Sequence, residues 1–467
     1  MVEYTDVINT DAAWLPQIPA HWQLQKIDAL FTERKTKVSD KDYAPLSVTK
    51  KGILPQLEHA AKSNDSDNRK LVKAGDFVIN SRSDRKGSCG VSKLDGSVSL
   101  INLVLTPRSK LNNDYVHYLL RNYRFSEEYY RNGRGIVADL WTTRYSEMRT
   151  ILLPVPPRAE QDQIVRFLDW KVSEINKLIG IRRKEIQELE ELKASSMRTV
   201  FSEGLSSDTK INSNEIDWLG SFPQRWKVMR LKSVLQSYFG GTWGEEPVGD
   251  KNDLLCIRVA DFDFDNLTVK PTANTYRHYS KSLISERSLQ DGDIILEKSG
   301  GGDKTPVGRV ICYHSFGDSK VMFANFSECL RPDKGQVLPV FLATELKVFY
   351  QSGYIRNYYN QTTGIQNVTV PQYLSMPIVV PPKPEQEIIV QYLNSACSKI
   401  DSLIESTHKK IAELTEMKSV IISEVVTGKI DVRNITVPQY EHVDDIYDDN
   451  NEDGEETEVT EIDGEEG

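Results

Sequence analysis

Five cysteines, seven histidines and 68 carboxylates are the groups from which this 467-residue chain could build an active site. Their spacing matches no familiar one. Cys89, Cys256, Cys312, Cys329 and Cys397 are scattered without a C-x-x-C pair, and the histidines are dispersed too. Neither a disulfide framework nor a zinc site is expected. A phosphate-cradling loop needs Gly-x-x-x-x-Gly-Lys-Ser/Thr; Thr427-Gly428-Lys429-Ile430 lacks the first glycine and the hydroxyl. A common metal nuclease needs an Asp, then Glu-x-Lys, to hold magnesium and activate water. Asp293-Ile-Ile-Leu-Glu297-Lys298 comes close, but its lysine adjoins the glutamate and faces the other side of a strand. An adenine methyltransferase usually carries Asn- or Asp-Pro-Pro-Tyr/Phe. Val155-Pro156-Pro157-Arg158 and Val380-Pro381-Pro382-Lys383 have the Pro-Pro alone. The glycine-rich stretches Gly240–Gly244 and Ser299–Gly302 read as loops. A chain without catalysis of its own is expected.

The elements around these motifs occur twice. Residues 154–203 and 379–428 align without a gap at an offset of 225: Pro156-Pro157 on Pro381-Pro382, Glu160-Gln161 on Glu385-Gln386. Each half also opens alike at an offset of 204, with Trp14, Pro19 and Trp22 matching Trp218, Pro223 and Trp226. Between these anchors, Lys73–Ile79 resembles Gln290–Leu296 as a Gly-Asp turn feeding a strand. Duplication at this period signals a repeated structural unit.

The 225-offset blocks read as helices of about 40 residues, about 60 Å long at ~1.5 Å per residue. Aligned positions at 168, 172, 175, 179, 182, 186, 189, 193, 196 and 200 recur at 393 through 425. Their steps of four and three give a coiled-coil period, and the Pro-Pro fixes each start. Two matched seams on one chain predict antiparallel pairing within it. The intervening segments read as mixed α/β, with strands at 44–49, 77–80, 254–259 and 294–296. Helical stretches with aromatic stripes follow at Tyr115–Tyr130 and Val340–Tyr359, the stripes expected in the core. No apolar run approaches the ~20 residues of a membrane helix, and a cytoplasmic chain is expected. The net charge of −10 conceals an acidic end: residues 441–467 carry fourteen carboxylates and no Lys or Arg, leaving 54 acidic against 58 basic residues in the body. That body is permissive for DNA, and the end reads as a disordered tail.

Two β-rich modules, each followed by a Pro-Pro-x-x-Glu-Gln helix, resemble the DNA specificity subunits of type I restriction-modification systems over roughly residues 10–430. The resemblance implies target recognition domains at 1–155 and 206–380, spacer helices at 156–205 and 381–430, and an acidic tail at 431–467. It implies a non-catalytic reader of a split DNA site that docks two modification subunits. These carry S-adenosylmethionine and methylate adenine N6, and optional restriction subunits use ATP and magnesium. An orphan DNA-binding regulator and a structural coiled-coil protein are the rival readings. The DNA face is expected at polar-basic loops after the Gly-Asp strands: Ser81, Arg82, Ser83, Arg85 and Lys86 in the first module, Lys298, Ser299 and Lys304 in the second. Lys50, Lys51, Arg134 and Arg144, and Gln361, Thr362, Thr363 and Gln366, are the further candidates. Arg and Lys can bond guanine O6/N7, and Gln adenine N6/N7, although most such side chains touch phosphate or solvent.

Overall fold

Buried apolar strands flanked by turns give each module an antiparallel sheet. The computed structural model describes residues 2–56, 67–108, 111–135, 141–205, 210–212, 216–302, 304–315, 317, 319–362 and 364–444. In the first module Phe31–Glu33 (β1), Phe77–Asn80 (β2), Cys89–Val91 (β3) and Asn102–Pro107 (β4) lie in the order β3-β2-β4-β1. In the second, Leu235–Gly240 (β5), Ile294–Glu297 (β6), Val310–Cys312 (β7) and Ser327–Pro332 (β8) lie in the order β7-β6-β8-β5. All neighbours in both sheets run antiparallel, so the topologies are the same. The central strands β2 and β6 are buried along their whole length. Each begins at its Gly-Asp turn, where Asp76 Oδ2 accepts the Lys73 N–H at 2.8 Å and Asp293 Oδ2 that of Gln290 at 2.7 Å.

The helices follow. Asn113–Arg121 (α1) and Tyr123–Arg131 (α2) replace the single expected stretch over 115–130, because Asn122 ends one and caps the other by accepting the Phe125 N–H at 3.2 Å. Arg158–Glu203 (α3) is 46 residues long. In the second module Pro339–Gln351 (α4) ends earlier than the expected 359, at Gly353, which has φ 76°. Lys383–Val426 (α5) is 44 residues long. The aromatic stripe lies in the core: Tyr115, Phe125 and Tyr129 are fully buried, as are Phe341 and Phe349.

The chain divides into two compact units, Met1–Lys184 with Thr407–Gly467, and Glu185–Ser406. Each takes the start of one long helix and the end of the other. The first core gathers Trp14, Trp22 and Tyr115 with Phe167 and Leu168 of α3 and Val425 and Val426 of α5. The second gathers Trp218, Trp226 and Phe349 with Val200 and Phe201 of α3 and Ile389 and Leu393 of α5. The Glu-Gln motif makes these joints. Gln161, 1% exposed, accepts the Asn112 N–H at 2.8 Å and donates to the Pro156 carbonyl at 2.9 Å. Gln386 accepts the Leu338 N–H at 2.8 Å and donates to the Pro381 carbonyl at 2.8 Å.

The long helices pair antiparallel as a coiled coil, and none of the ten seam positions in either is exposed. Two polar seam residues cross it: Lys193 Nζ reaches Asp401 at 2.6 Å and Lys418 Nζ reaches Asn176 at 3.2 Å. The two pairs occupy equivalent positions of the repeat. Moving seventeen residues forward along α3 from Asn176 to Lys193 moves seventeen back along α5 from Lys418 to Asp401. Single polar seam pairs of this kind fix register.

The expected tail from 431 is corrected. Ile430–Asp431 pairs with Val2–Glu3, and Val432 is fully buried. Gln163 Nε2 donates to the carbonyls of Val432 (3.0 Å) and Ile435 (2.7 Å), and Asn176 Nδ2 to that of Val443 (3.0 Å). Ile435 and Val437 pack on the first core. Their apolar side chains, with backbone acceptors for α3 amides, bind a segment whose acidity begins further on. Residues 445–467 lie outside the described residues.

Candidate nucleic-acid interface

In the first unit the loop after β2 is laid against a second loop from beyond α2. Thr143 N–H donates to the Ser81 carbonyl at 2.9 Å, and Ser83 N–H to the Trp141 carbonyl at 2.9 Å. Thr142 in turn exchanges both backbone bonds with Arg134, at 3.0 and 3.1 Å. Ser81, Arg82, Ser83, Arg134 and Arg144 are thereby gathered into one loop cluster. Lys50 joins it from the turn between Leu46–Thr49 and Gly52–Pro55: its Cγ lies 3.9 Å from where a side chain would begin at Gly87. Lys51, half-buried in the same turn, donates its N–H to Thr49 Oγ1 at 3.0 Å. Arg82 and Arg134 are held loosely here, and Lys86 more closely. Arg82 meets Asp84 at 3.4 Å, Arg134 meets Glu147 only at 3.9 Å while 84% exposed, and Lys86 pairs with Glu127. Exposed pairs of this kind are worth little, so exchanging a carboxylate for a phosphate costs the protein almost nothing.

The second unit repeats the arrangement in a more regular form. Ser299–Gly300, directly after β6, pairs with Ile365–Val368, which pairs with Tyr359–Thr362. This brings Lys298, Ser299, Gln361 and Gln366 onto one small sheet. Lys298 pairs with Glu328 at 3.2 Å, and Ser299 Oγ donates to Asn367 Oδ1 at 2.7 Å. Lys304 is exposed at the rim of a shallow depression lined by Gly301, Gly302, Thr305 and Arg309. A Cβ at Gly301 would sit 2.4 Å from the Val307 nitrogen and 2.8 Å from Gln366 Oε1, so this loop admits no side chain there.

Two candidates face inward. Gln366 is 1% exposed, and its Oε1 accepts the Val307 N–H at 3.0 Å, so it holds the loop's shape from beneath. Ser81 is 4% exposed and acts through its backbone. Arg85 is half-buried, its carbonyl accepting the Tyr130 hydroxyl at 3.3 Å. Thr363 lies outside the described residues, as does the side chain of Thr362.

The carboxylates of the nuclease-like stretch are each committed to an arginine. Asp293 takes Arg331 at 2.8 and 2.7 Å, and Glu297 takes Arg309 at 2.8 and 3.1 Å. These bidentate bonds raise the pKa of both guanidinium groups. Among the described residues, Asp250, Asp253 and His278 form one group close enough to share a cation. Asp253, however, already accepts the N–H groups of Val248, Gly249 and Asp250 and meets His278 Nδ1 at 2.9 Å, which is the bonding of a turn. A contribution not foreseen is Arg121, whose Nη2 donates to the Lys50 carbonyl at 2.6 Å and fixes that turn. Trp243 is 40% exposed under the Arg277 guanidinium at 4.9 Å. Its glycine-rich setting gave no sign of a stacking platform in sequence.

No helix among the described residues is long and apolar enough to cross a membrane. The family described as type I restriction modification DNA specificity domain matches residues 223–416. A protein assigned as the MjaX type I restriction enzyme specificity subunit of Methanocaldococcus jannaschii is 25% identical over 71% of this chain and 71% of its own length. The MjaVIII specificity subunit of the same organism is 26% identical over 61% of this chain and 63% of its own. A solved structure described as showing complex assembly and conformational transition of the type I R-M system has a TM-score of 0.60. It is 16% identical and covers 88% of this chain and 99% of that one. The family match falls on the second repeat, and the first repeats its sheet, its helix joint and its loop cluster. Residues 223–416 thus match the type I restriction modification DNA specificity domain, and over most of its length the chain is similar to specificity subunits of type I restriction enzymes.

Proposed function

We propose that each unit reads one half of a bipartite DNA site and that the chain itself is not catalytic. The paired helices dock two adenine-N6 methyltransferase subunits, which bring S-adenosylmethionine. Restriction subunits, where present, bring ATP and magnesium, and the assembly works in the cytoplasm. The observation that carries this reading is the duplicated loop cluster. In each unit a polar-basic loop leaves a buried central strand and is clamped by a second loop from beyond the helices. A rigid platform with cations at its surface suits phosphate positioning, with polar groups beside them to meet base edges. Mapping adenine methylation in cells with and without this chain tests the reading. A split motif that vanishes with the chain is expected, and a continuous motif or an unchanged map contradicts it.

The helix pair sets the unread gap. Insertions of seven residues after Lys184 and after Lys409 fall opposite one another in the register of the Lys193–Asp401 and Lys418–Asn176 bonds. Together they lengthen the pair by about 10 Å at ~1.5 Å per residue. The mapped gap then grows by about three base pairs at ~3.4 Å each, with both half-sites intact. An unchanged gap means that the helices dock partners without measuring DNA.

A further inference from the structure

Beside each loop cluster stands an exposed apolar side chain, at the same place in both units. The turn Ser99–Asn102 leads into β4 and is closed by the Asn102 N–H on the Ser99 carbonyl at 3.1 Å. The turn Ala324–Ser327 leads into β8 and is closed by the Ser327 N–H on the Ala324 carbonyl, also at 3.1 Å. The third residue of the first turn is Ile101, 37% exposed, and that of the second is Phe326, 56% exposed. Each tip is tied to the candidate loop through its own backbone. The Ile101 carbonyl accepts the Ser81 N–H at 3.4 Å, and the Phe326 carbonyl accepts those of Lys298 at 2.8 Å and Ser299 at 3.1 Å. Ser81 and Lys298 are the equivalent residues that follow the central strands.

A single exposed apolar residue on a protein surface requires no explanation. Two at one position of one turn, in modules whose sequences do not match there, do require one. Turns are ordinarily rich in small polar residues and glycine, and an exposed ring or branched chain gains nothing from burial. The surroundings are the loops that carry the cations of the proposed DNA face.

We propose that Ile101 and Phe326 are apolar base contacts, one in each half-site. Each presses on the hydrophobic part of a base, either a thymine methyl in the groove or a base face at an opened step. The inference rests on the reading of the units as DNA readers and adds residues that carry specificity without hydrogen bonds. Phosphate contacts fix where the loop lies, and the apolar tip selects what lies beneath it.

The test uses the full chain and duplexes carrying the mapped site. Phe326→Ala weakens binding to the mapped duplex by about tenfold, within the usual cost of one lost base contact, and leaves binding to a random duplex unchanged. The loss disappears once the half-site read by the second unit is scrambled, and Ile101→Ala gives the mirror result. Phe326→Leu, which keeps an apolar tip, retains most of the affinity, and all three variants melt with the wild type because the side chains are exposed. Uracil for thymine weakens wild-type binding but not Phe326→Ala binding if a methyl is touched. 2-Aminopurine brightens with wild type alone if a step is opened. Equal affinity of Phe326→Ala and wild type on the mapped duplex overturns the inference, as does an equal loss on random DNA or a loss with neither base signal. Wild-type chain that binds mapped and random duplexes alike overturns the underlying reading as well.

Discussion

Phe167 and Tyr392 stand at equivalent positions of α3 and α5, yet Phe167 is 1% exposed and Tyr392 is 50% exposed. The first unit covers its helix with the segment 432–444, whose Ile435 and Val437 join the core. The second unit leaves Leu192, Ile388 and Tyr392 in the open around a shallow groove. Elsewhere the units agree in sheet order, in the glutamine joint and in the loop clamp. Duplication has thus kept what folds each module, while the helix surfaces beside the modules have diverged. A smaller difference lies inside the cores. Glu345 sits seven residues after the cap of α4, where the equivalent residue of α1 is Leu119. Its Oε1 accepts the Val379 N–H at 2.6 Å. The equivalent of Val379 is Pro154, which has no N–H to satisfy. The carboxyl is present where the strand offers a donor and absent where proline removes it.

Truncation offers the largest break in this comparison. Ending the chain at Asp431 removes Ile435 and Val437 with the carbonyls that Gln163 and Asn176 use. The first unit should lose about 7 kcal/mol, from roughly 1 kcal/mol for each of the three hydrogen bonds and two partly buried side chains and about 2 kcal/mol for the fully buried Val432. Ending it at Asp444 keeps all of these contacts and should cost less. Hydrogen exchange resolved by unit checks both, and equal losses from the two truncations would dissolve the contrast.

The glutamine joints should instead respond alike. Gln161→Ala and Gln386→Ala each leave a partly buried N–H and a buried carbonyl unsatisfied, at a cost on the order of 2 kcal/mol. Denaturant unfolding of the two variants should give the same loss, the first in unit 1 and the second in unit 2. Very unequal losses would show that the two helix starts are alike in geometry but not in energy.

A subtler contrast separates the cores by pH. Burial pushes the Glu345 carboxyl well above its usual range, so the folded chain keeps a proton that the unfolded chain releases from about pH 4.3 upward. Stability therefore falls as pH rises from there toward the folded-state value. Glu345→Gln removes this dependence. Its advantage over wild type should grow by up to ~1.4 kcal/mol per pH unit between about pH 5 and 7, below the Lys347 ammonium, which burial lowers to about 8. Melting series of the two proteins over that window decide the point, and parallel curves would mean that Glu345 ionises freely in the fold. The carboxyl's structural role appears separately. Glu345→Leu strands the Val379 N–H at a cost of about 2 kcal/mol, and adding Val379→Pro should recover part of it by recreating the Leu119 and Pro154 pairing.

Sequence carried the repeated frame because its anchors are residues whose chemistry allows few substitutes. The Pro-Pro before each helix, the buried Gln161 and Gln386, and the seam lysines Lys193 and Lys418 recur in register with little freedom to drift. The covering segment was not legible because the fourteen carboxylates of residues 441–467 dominate the composition there. Ile435 and Val437 are too few to show a period. The turn equivalence of Ile101 and Phe326 was hidden by an insertion, since the offset is 217 at Ser81 and 225 at Ile101, and only strand pairing aligns the two. For the proposed DNA face, residue type picked out loops that the fold gathers together but not which way their side chains point. Gln366 has the chemistry to read adenine, but it bonds the Val307 N–H beneath the loop.

In the proposed function the two units read independently through equivalent loops. Exchanging residues 24–150 for the matching stretch of a relative with a different target replaces the sheet, the loop cluster and Ile101 of the first unit. It leaves Gln161 with its bond to the Pro156 carbonyl, and all of the second unit, in place. Methylation mapping of cells carrying the exchanged chain is expected to show one half-site replaced by the relative's, with the other half and the gap unchanged. A motif altered in both halves, or in the gap, would contradict independent readout.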